Sequence, residues 1–156
     1  MIKSFGDMLI PILQSLFQRD LQKLRAEMSA YRDEKNIWRI EPDIANSAGN
    51  LCLHLIGNLN KYIGAQLGDS GYVRNRDLEF SLKDVPREEL LTKIDATIDA
   101  VTRTLERLDP AVLEADYPIV VLKEKTSTAF FLTHLSAHLN YHLGQVNYHR
   151  RLIDKV

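Results

Sequence analysis

The chain has 156 residues, 45% hydrophobic and 26% charged, with a formal net charge of −1. That length suits one domain, expected over 1–156, whose core needs no covalent staple. The near-neutral charge leaves no electrostatic footprint for nucleic acid or an anionic membrane, and no run approaches the ~20 apolar residues of a membrane helix.

In the opening stretch MIKSFGDMLIPILQSLFQRD, Asp7 and Pro11 interrupt the apolar run and no small-residue cleavage site follows. It is therefore not read as a signal peptide. Cys52, the single cysteine, allows no internal disulfide. Together these give a cytoplasmic expectation.

Four stretches carry helical periodicity. In the first, Ile10, Leu13, Phe17, Leu21, Leu24, Met28 and Tyr31 recur every three or four residues, with Pro11 expected near the helix start. The second runs from about Ile44 to Leu67 and ends in the turn signal Gly68 to Gly71. The third carries Leu91, Ile94, Ile98, Val101, Leu105 and Leu108, preceded by Asp84, Pro86, Glu88 and Glu89 and stopped by Asp109-Pro110. The fourth spans about Ser127 to Asp154, with Thr126 or Ser127 as N-cap. Before it, the β-branched run within Asp116 to Lys125 is enough for one short extended segment and not for a sheet. The prediction is an all-α four-helix bundle with long connections at 32–43, 68–85 and 109–126.

The fourth helix holds four of the five histidines. At 100° per residue, with Phe131 at 0°, the core residues Leu135, Val146 and Ile153 fall at about 40°, 60° and 40°. His138 and His142 fall at about −20° and 20°, pointing inward, and His134 at about −60°, on the flank. Residues four apart are separated by about 6 Å, so either 134/138 or 138/142 can share one ion, and burial favours 138/142. His134 and His142, about 12 Å apart, cannot both join it, and His149 lies about 10.5 Å beyond His142.

The second helix supplies the fifth histidine. His54 shares a column with Ser47, Asn50, Asn58 and Lys61, while Leu55, Leu59 and Ile63 lie on another side. This column either faces water or faces the histidine helix. In the second case three histidines from two helices make an open three-ligand site. Neutral nitrogens suit zinc, nickel, iron or copper, with zinc and nickel put first. A metal-free histidine cluster in a packed core is the alternative. The chain has no Glu-x-x-His, His-Glu-x-x-His, paired-cysteine or Cys-x-x-Cys-His motif, and no glycine-rich phosphate loop.

Trp38, NSAGNLCLHLIGN (Asn46 to Asn58), RNRDLEF (Arg74 to Phe80) and HLNYHLGQVNYHRR (His138 to Arg151) together resemble the DinB-like superfamily, over almost the whole chain. The resemblance implies a DinB-type four-helix bundle, often dimeric, with a divalent metal on three histidines. These map onto His54, His138 and His142. It also implies kinship with metal-dependent transferases that use a low-molecular-weight thiol such as bacillithiol, mycothiol or glutathione.

Such chemistry is physically reasonable. A free thiol has a pKa near 8.5, and coordination deprotonates it. The site would then comprise the three histidine ligands, with Asn50, Asn58 and Gln145 as supporting or pocket groups. Arg74 and Arg76 either clamp a substrate carboxylate or phosphate, or pair with Asp77, Glu79 or a helix end. Trp38, Tyr62 and Tyr141 are packing residues by default, and Cys52 is given no role. No catalytic residue is assigned. Two function classes stand: a metal-dependent enzyme acting on a small molecule, such as a thiol S-transferase, and a non-enzymatic metal-binding or metal-free bundle acting through a dimer or another partner.

Overall fold

The computed structural model describes residues 4–155. The ends of the 1–156 span, and Met1 to Lys3 of the opening stretch, lie outside them. The chain is all-α, with helices α1 (Phe5–Ser29), α2 (Ala48–Leu59), α3 (Arg76–Ser81), α4 (Arg87–Arg107) and α5 (Thr128–Ile153). Five helices therefore replace the expected four. The addition, α3, lies inside the connection 68–85. Near Asp116 to Lys125 the described residues show no strand, only an isolated bridge between Asp116 and Ser127.

Local chemistry sets the ends. Ser4 caps α1 by accepting from the Asp7 N–H, and the Asp7 carboxylate accepts from the Ser4 N–H. Pro11 therefore sits inside α1 and not in its first turn; it faces solvent, which softens the missing N–H. Tyr31 lies past the end of α1. Ser47 caps α2, so this helix begins later than Ile44. Ser127 caps α5 by accepting from Phe130 N–H at 3.2 Å. α2 runs on into a π-helical turn, Asn60–Ala65. There the Asn60 amide donates to the Ile56 carbonyl at 2.9 Å and to Thr97 Oγ1 at 2.8 Å, pinning the wider turn to α4.

Side-chain contacts fix the directions. Arg25 grips Asp95 and Arg87 reaches the Ser29 carbonyl, so α1 and α4 are antiparallel. Asn140 donates to Asp20 and Arg150 to Glu27, so α1 and α5 are parallel. Tyr62 meets Phe131 while His54 meets His138, so α2 and α5 are antiparallel. α2 and α4 consequently run the same way. A parallel neighbour needs a crossover along the bundle, and the segment holding α3 is that crossover. α2 is the innermost helix, with all twelve residues buried. Trp38 closes over its first turn, where a Cβ on Gly49 would lie 2.6 Å from the indole.

His149 shows how the core holds a polar ring. Its Nε2 lies 2.7 Å from the Arg39 carbonyl, which only accepts, so Nε2 carries the proton. Its Nδ1 then accepts from the Tyr31 hydroxyl at 2.7 Å. Burial lowers the His149 pKa, partly opposed by the Arg39 carbonyl. The unfolded chain thus takes up this proton first, and stability falls as pH drops below the ordinary histidine value of about 6.5. The unfolding temperature is expected to be lower at pH 5 than at pH 7.5, with a smaller difference in His149→Gln. An equal difference in both proteins would remove His149 from the account.

Candidate metal centre

α5 presents His138 and His142 one turn apart on the side facing α2, and α2 presents His54 to them. His54 Nε2 and His142 Nε2 each lie 3.2 Å from His138 Nε2. The three ligand atoms all fall within 4.8 Å of one another. His54 is buried and meets His138 and His142, so it faces α5 and not water; His138 and His142 are half-buried. His134 lies to the flank, stacked between Phe131 and His138, and is not part of the group.

The outer ring nitrogens explain which atoms converge. His54 Nδ1 lies 3.1 Å from Glu79 Oε1, and His142 Nδ1 lies 2.7 Å from Gln145 Oε1. Both partners accept, so both Nδ1 atoms carry protons and both Nε2 atoms are bare lone pairs aimed at His138. Burial, with His142, His54 and His134 close by, pushes the His138 pKa down to about 4. Burial also lowers His142, against the opposing hydrogen bond that it donates to Gln145. Converging lone pairs repel unless a proton or a cation sits between them. Tetrahedral zinc with bonds of about 2.0 Å needs ligand nitrogens about 3.3 Å apart, close to the contacts found here. The donor set thus fits a divalent transition metal, and the cluster is able to coordinate one. Among the described residues no fourth His, Cys, Asp or Glu joins it.

Glu79, from α3, ties this centre to the crossover. Arg74 grips its carboxylate with two bonds, Nε to Oε2 and Nη2 to Oε1, each 2.7 Å. The Arg74 and Glu79 side chains are only 10% and 7% exposed. Burial alone would raise the Glu79 pKa, but Arg74 and His54 outweigh it and hold the carboxyl below its ordinary value. Arg74 Nη2 also comes within 3.3 Å of His54 Nδ1, a longer contact than the one it makes with Glu79. Arg74 thus spends Nε and Nη2 on Glu79, the pairing weighed against a substrate clamp. Gly57 makes the arrangement possible, since a Cβ there would run into the Glu79 carboxylate.

The other singled-out residues divide. Gln145 sits directly behind His142. Asn50 is one step further out: its amide donates to the Glu79 and Leu82 carbonyls, and its oxygen accepts from Ser47 and Lys83. Asn58 is buried and its Oδ1 has no partner. Arg76 is exposed, with its guanidinium over Phe80, whose ring in turn lies tilted against His54. Trp38 is a core plug on Gly49, Tyr62 packs on Phe131, Tyr141 is exposed against His142, and Cys52 is buried. Two hollows touch the supporting groups. One of about 360 Å³ is walled by Glu79, and one of about 340 Å³ by Gln145, Ile44, Leu51 and Tyr148.

Sequence reasoning missed Glu79 as a site residue and missed Gly57 altogether. Glu79 entered only as a partner for Arg74, and its place between Leu78 and Phe80 was the available hint of burial. Glu79→Ala would leave the Arg74 charge buried and unpaired, at an expected cost of about 3 kcal/mol in urea unfolding. A variant as stable as the parent would show that the pair does not hold the crossover.

No curated protein and no solved structure matches the chain. The all-α fold and the three-histidine cluster are consistent with a DinB-type metal-binding bundle. The family model described as "Protein of unknown function (DUF1572)" matches residues 6–155, nearly the entire length, and the chain belongs to that family.

Proposed function

We propose that the chain is a divalent-metal protein, with His54, His138 and His142 as ligands, that acts on a small molecule at the open coordination position. The observation that carries this is the convergence of three Nε2 atoms, two of them oriented from behind by Glu79 and Gln145. Zinc and nickel are the ions put first. The lack of a fourth ligand among the described residues is the pattern of a reactive site and not a closed structural one.

The finer reading is a low-molecular-weight-thiol S-transferase. A divalent ion bound at such a site supplies the Lewis acidity that ionises a thiol near neutral pH. In this chain α2 and α5 aim the imidazoles, and Glu79 and Gln145 keep the Nδ1 protons of His54 and His142 in place. Arg74 is already bound to Glu79 through Nε and Nη2. Phe130, Tyr141, Tyr148 and Leu152, all exposed along one side of α5, give a second copy an apolar face to cover, which supports a homodimer. A non-enzymatic metal role is the second reading, favoured by one observation. Glu79, the carboxylate at the centre, is already bound to Arg74 and His54 and is not free for proton transfer.

Untagged protein is expected to carry about one equivalent of a transition metal by elemental analysis. The His138→Ala, His142→Ala double variant should carry none. No metal in the parent, and no uptake of added zinc or nickel, would overturn the metal reading. In cobalt-substituted protein, an added thiol should produce a sulfur-to-cobalt charge-transfer band. Its absence with bacillithiol, mycothiol and glutathione would leave the non-enzymatic reading.

A further inference from the structure

Between α2, α4 and the crossover lies the hollow of about 360 Å³ that Glu79 walls on one side. That volume sits at the small end of the range for small-molecule sites, about 300–1,000 Å³. His54, His138 and His142 do not line it, so it is separate from the metal centre.

The crossover leaves four large apolar side chains exposed, Tyr72, Val73, Leu78 and Leu82, and all four border this hollow. Single exposed apolar residues are ordinary on a protein surface; four from one short segment around one hollow are not. α2 contributes Leu53 and Ile56, which belong to the core, so the hollow reaches from the surface down to the innermost helix. The charged groups of the lining are Glu79, Glu89 and Lys93, and each already has a partner. Glu79 holds Arg74, and Glu89 lies 3.3 Å from the Lys93 ammonium. The Asn60 amide is spent on the Ile56 carbonyl and Thr97. A charged occupant would have to give up its hydration and break one of these pairs, with no spare opposite charge to meet it. An uncharged apolar one breaks nothing and releases the water that covers the four exposed side chains.

We infer that this hollow is a second ligand site, one that takes an uncharged apolar small molecule between the crossover, α2 and α4. Its occupant abuts Glu79, the side chain that meets His54 at 3.1 Å, and touches none of the three histidines. The assignment stands whether or not the histidines hold a metal.

The test titrates prodan, an uncharged naphthalene dye whose emission shifts to the blue out of water, into the full chain. The parent is expected to bind about one dye per chain, saturably. Val85→Trp, which fills the hollow with an indole, and Leu78→Glu, which puts a charge on its wall, should each weaken binding by about tenfold or more. Leu78 is exposed and outside the core, so its variant carries the test if Val85→Trp does not fold. Leu152→Glu, on the exposed side of α5, should bind the dye as the parent does, and so should the His138→Ala, His142→Ala double variant. No saturable binding by the parent would overturn the inference, as would parent-like binding in Leu78→Glu. Loss of binding in Leu152→Glu would place the dye on α5, and loss in the double variant would place it at the histidines; either result overturns the assignment. A dimeric parent that Leu78→Glu turns into monomers would give the hollow to a second copy and overturn it too.

Discussion

One ionised carboxylate, Glu79, is the constraint on which the centre of this molecule depends. A carboxylate taken out of water costs several kcal/mol unless it is paired and hydrogen-bonded. Here Arg74 fills both oxygens and His54 takes one of them as well. Each of these groups needs the others. Without Glu79 the guanidinium is buried alone; without His54 the carboxylate has no tie to the inner helix. The absence of a side chain at Gly57 lets the group lie flat against α2. Asn50 clamps the carbonyls at both ends of the Glu79 to Leu82 stretch, so the backbone carrying the carboxylate is fixed too.

The topology makes such a tie necessary. α2 and α4 run the same way, so the chain must travel back along the bundle between them. Most of the crossover's large apolar residues, Tyr72, Val73, Leu78 and Leu82, are exposed, so burial does little to hold it. Its α3 has six residues, too few for a helix to persist by itself. Pinning it with an ion pair at the level of His54 both completes the fold and presents an acceptor to the ring. Fold stability and imidazole orientation are thus served by the same hydrogen bonds.

The helices with one-sided apolar stripes were legible from periodicity, as was the inward pair on α5, because a helix turns by a fixed angle per residue. The same arithmetic was less informative for α2. That helix is buried on every side, so a polar column does not mark a wet face. Asn50 and His54 share the column yet do different things, one bonding the crossover backbone and the other meeting α5. α3 escaped detection because six residues show no period. Glu79 escaped because its partner His54 stands twenty-five positions earlier, a separation that only the crossover closes. The shift of the α2 start to Ala48 follows from Ser47, whose hydroxyl caps the helix at 3.1 Å.

Two of the three imidazoles ride on α5 and one on α2. The spacing of the first two is locked by helix pitch, so the opening of the trio has one soft coordinate, the separation of the two antiparallel helices. That separation is held away from the histidines, where Tyr62 abuts Phe131 and the Tyr117 hydroxyl bonds the Tyr62 carbonyl at 2.7 Å. The trio therefore works like the jaws of a calliper whose hinge is aromatic. Its gauge is written in Tyr62, Tyr117 and Phe131, at the opposite end of the tool from the points.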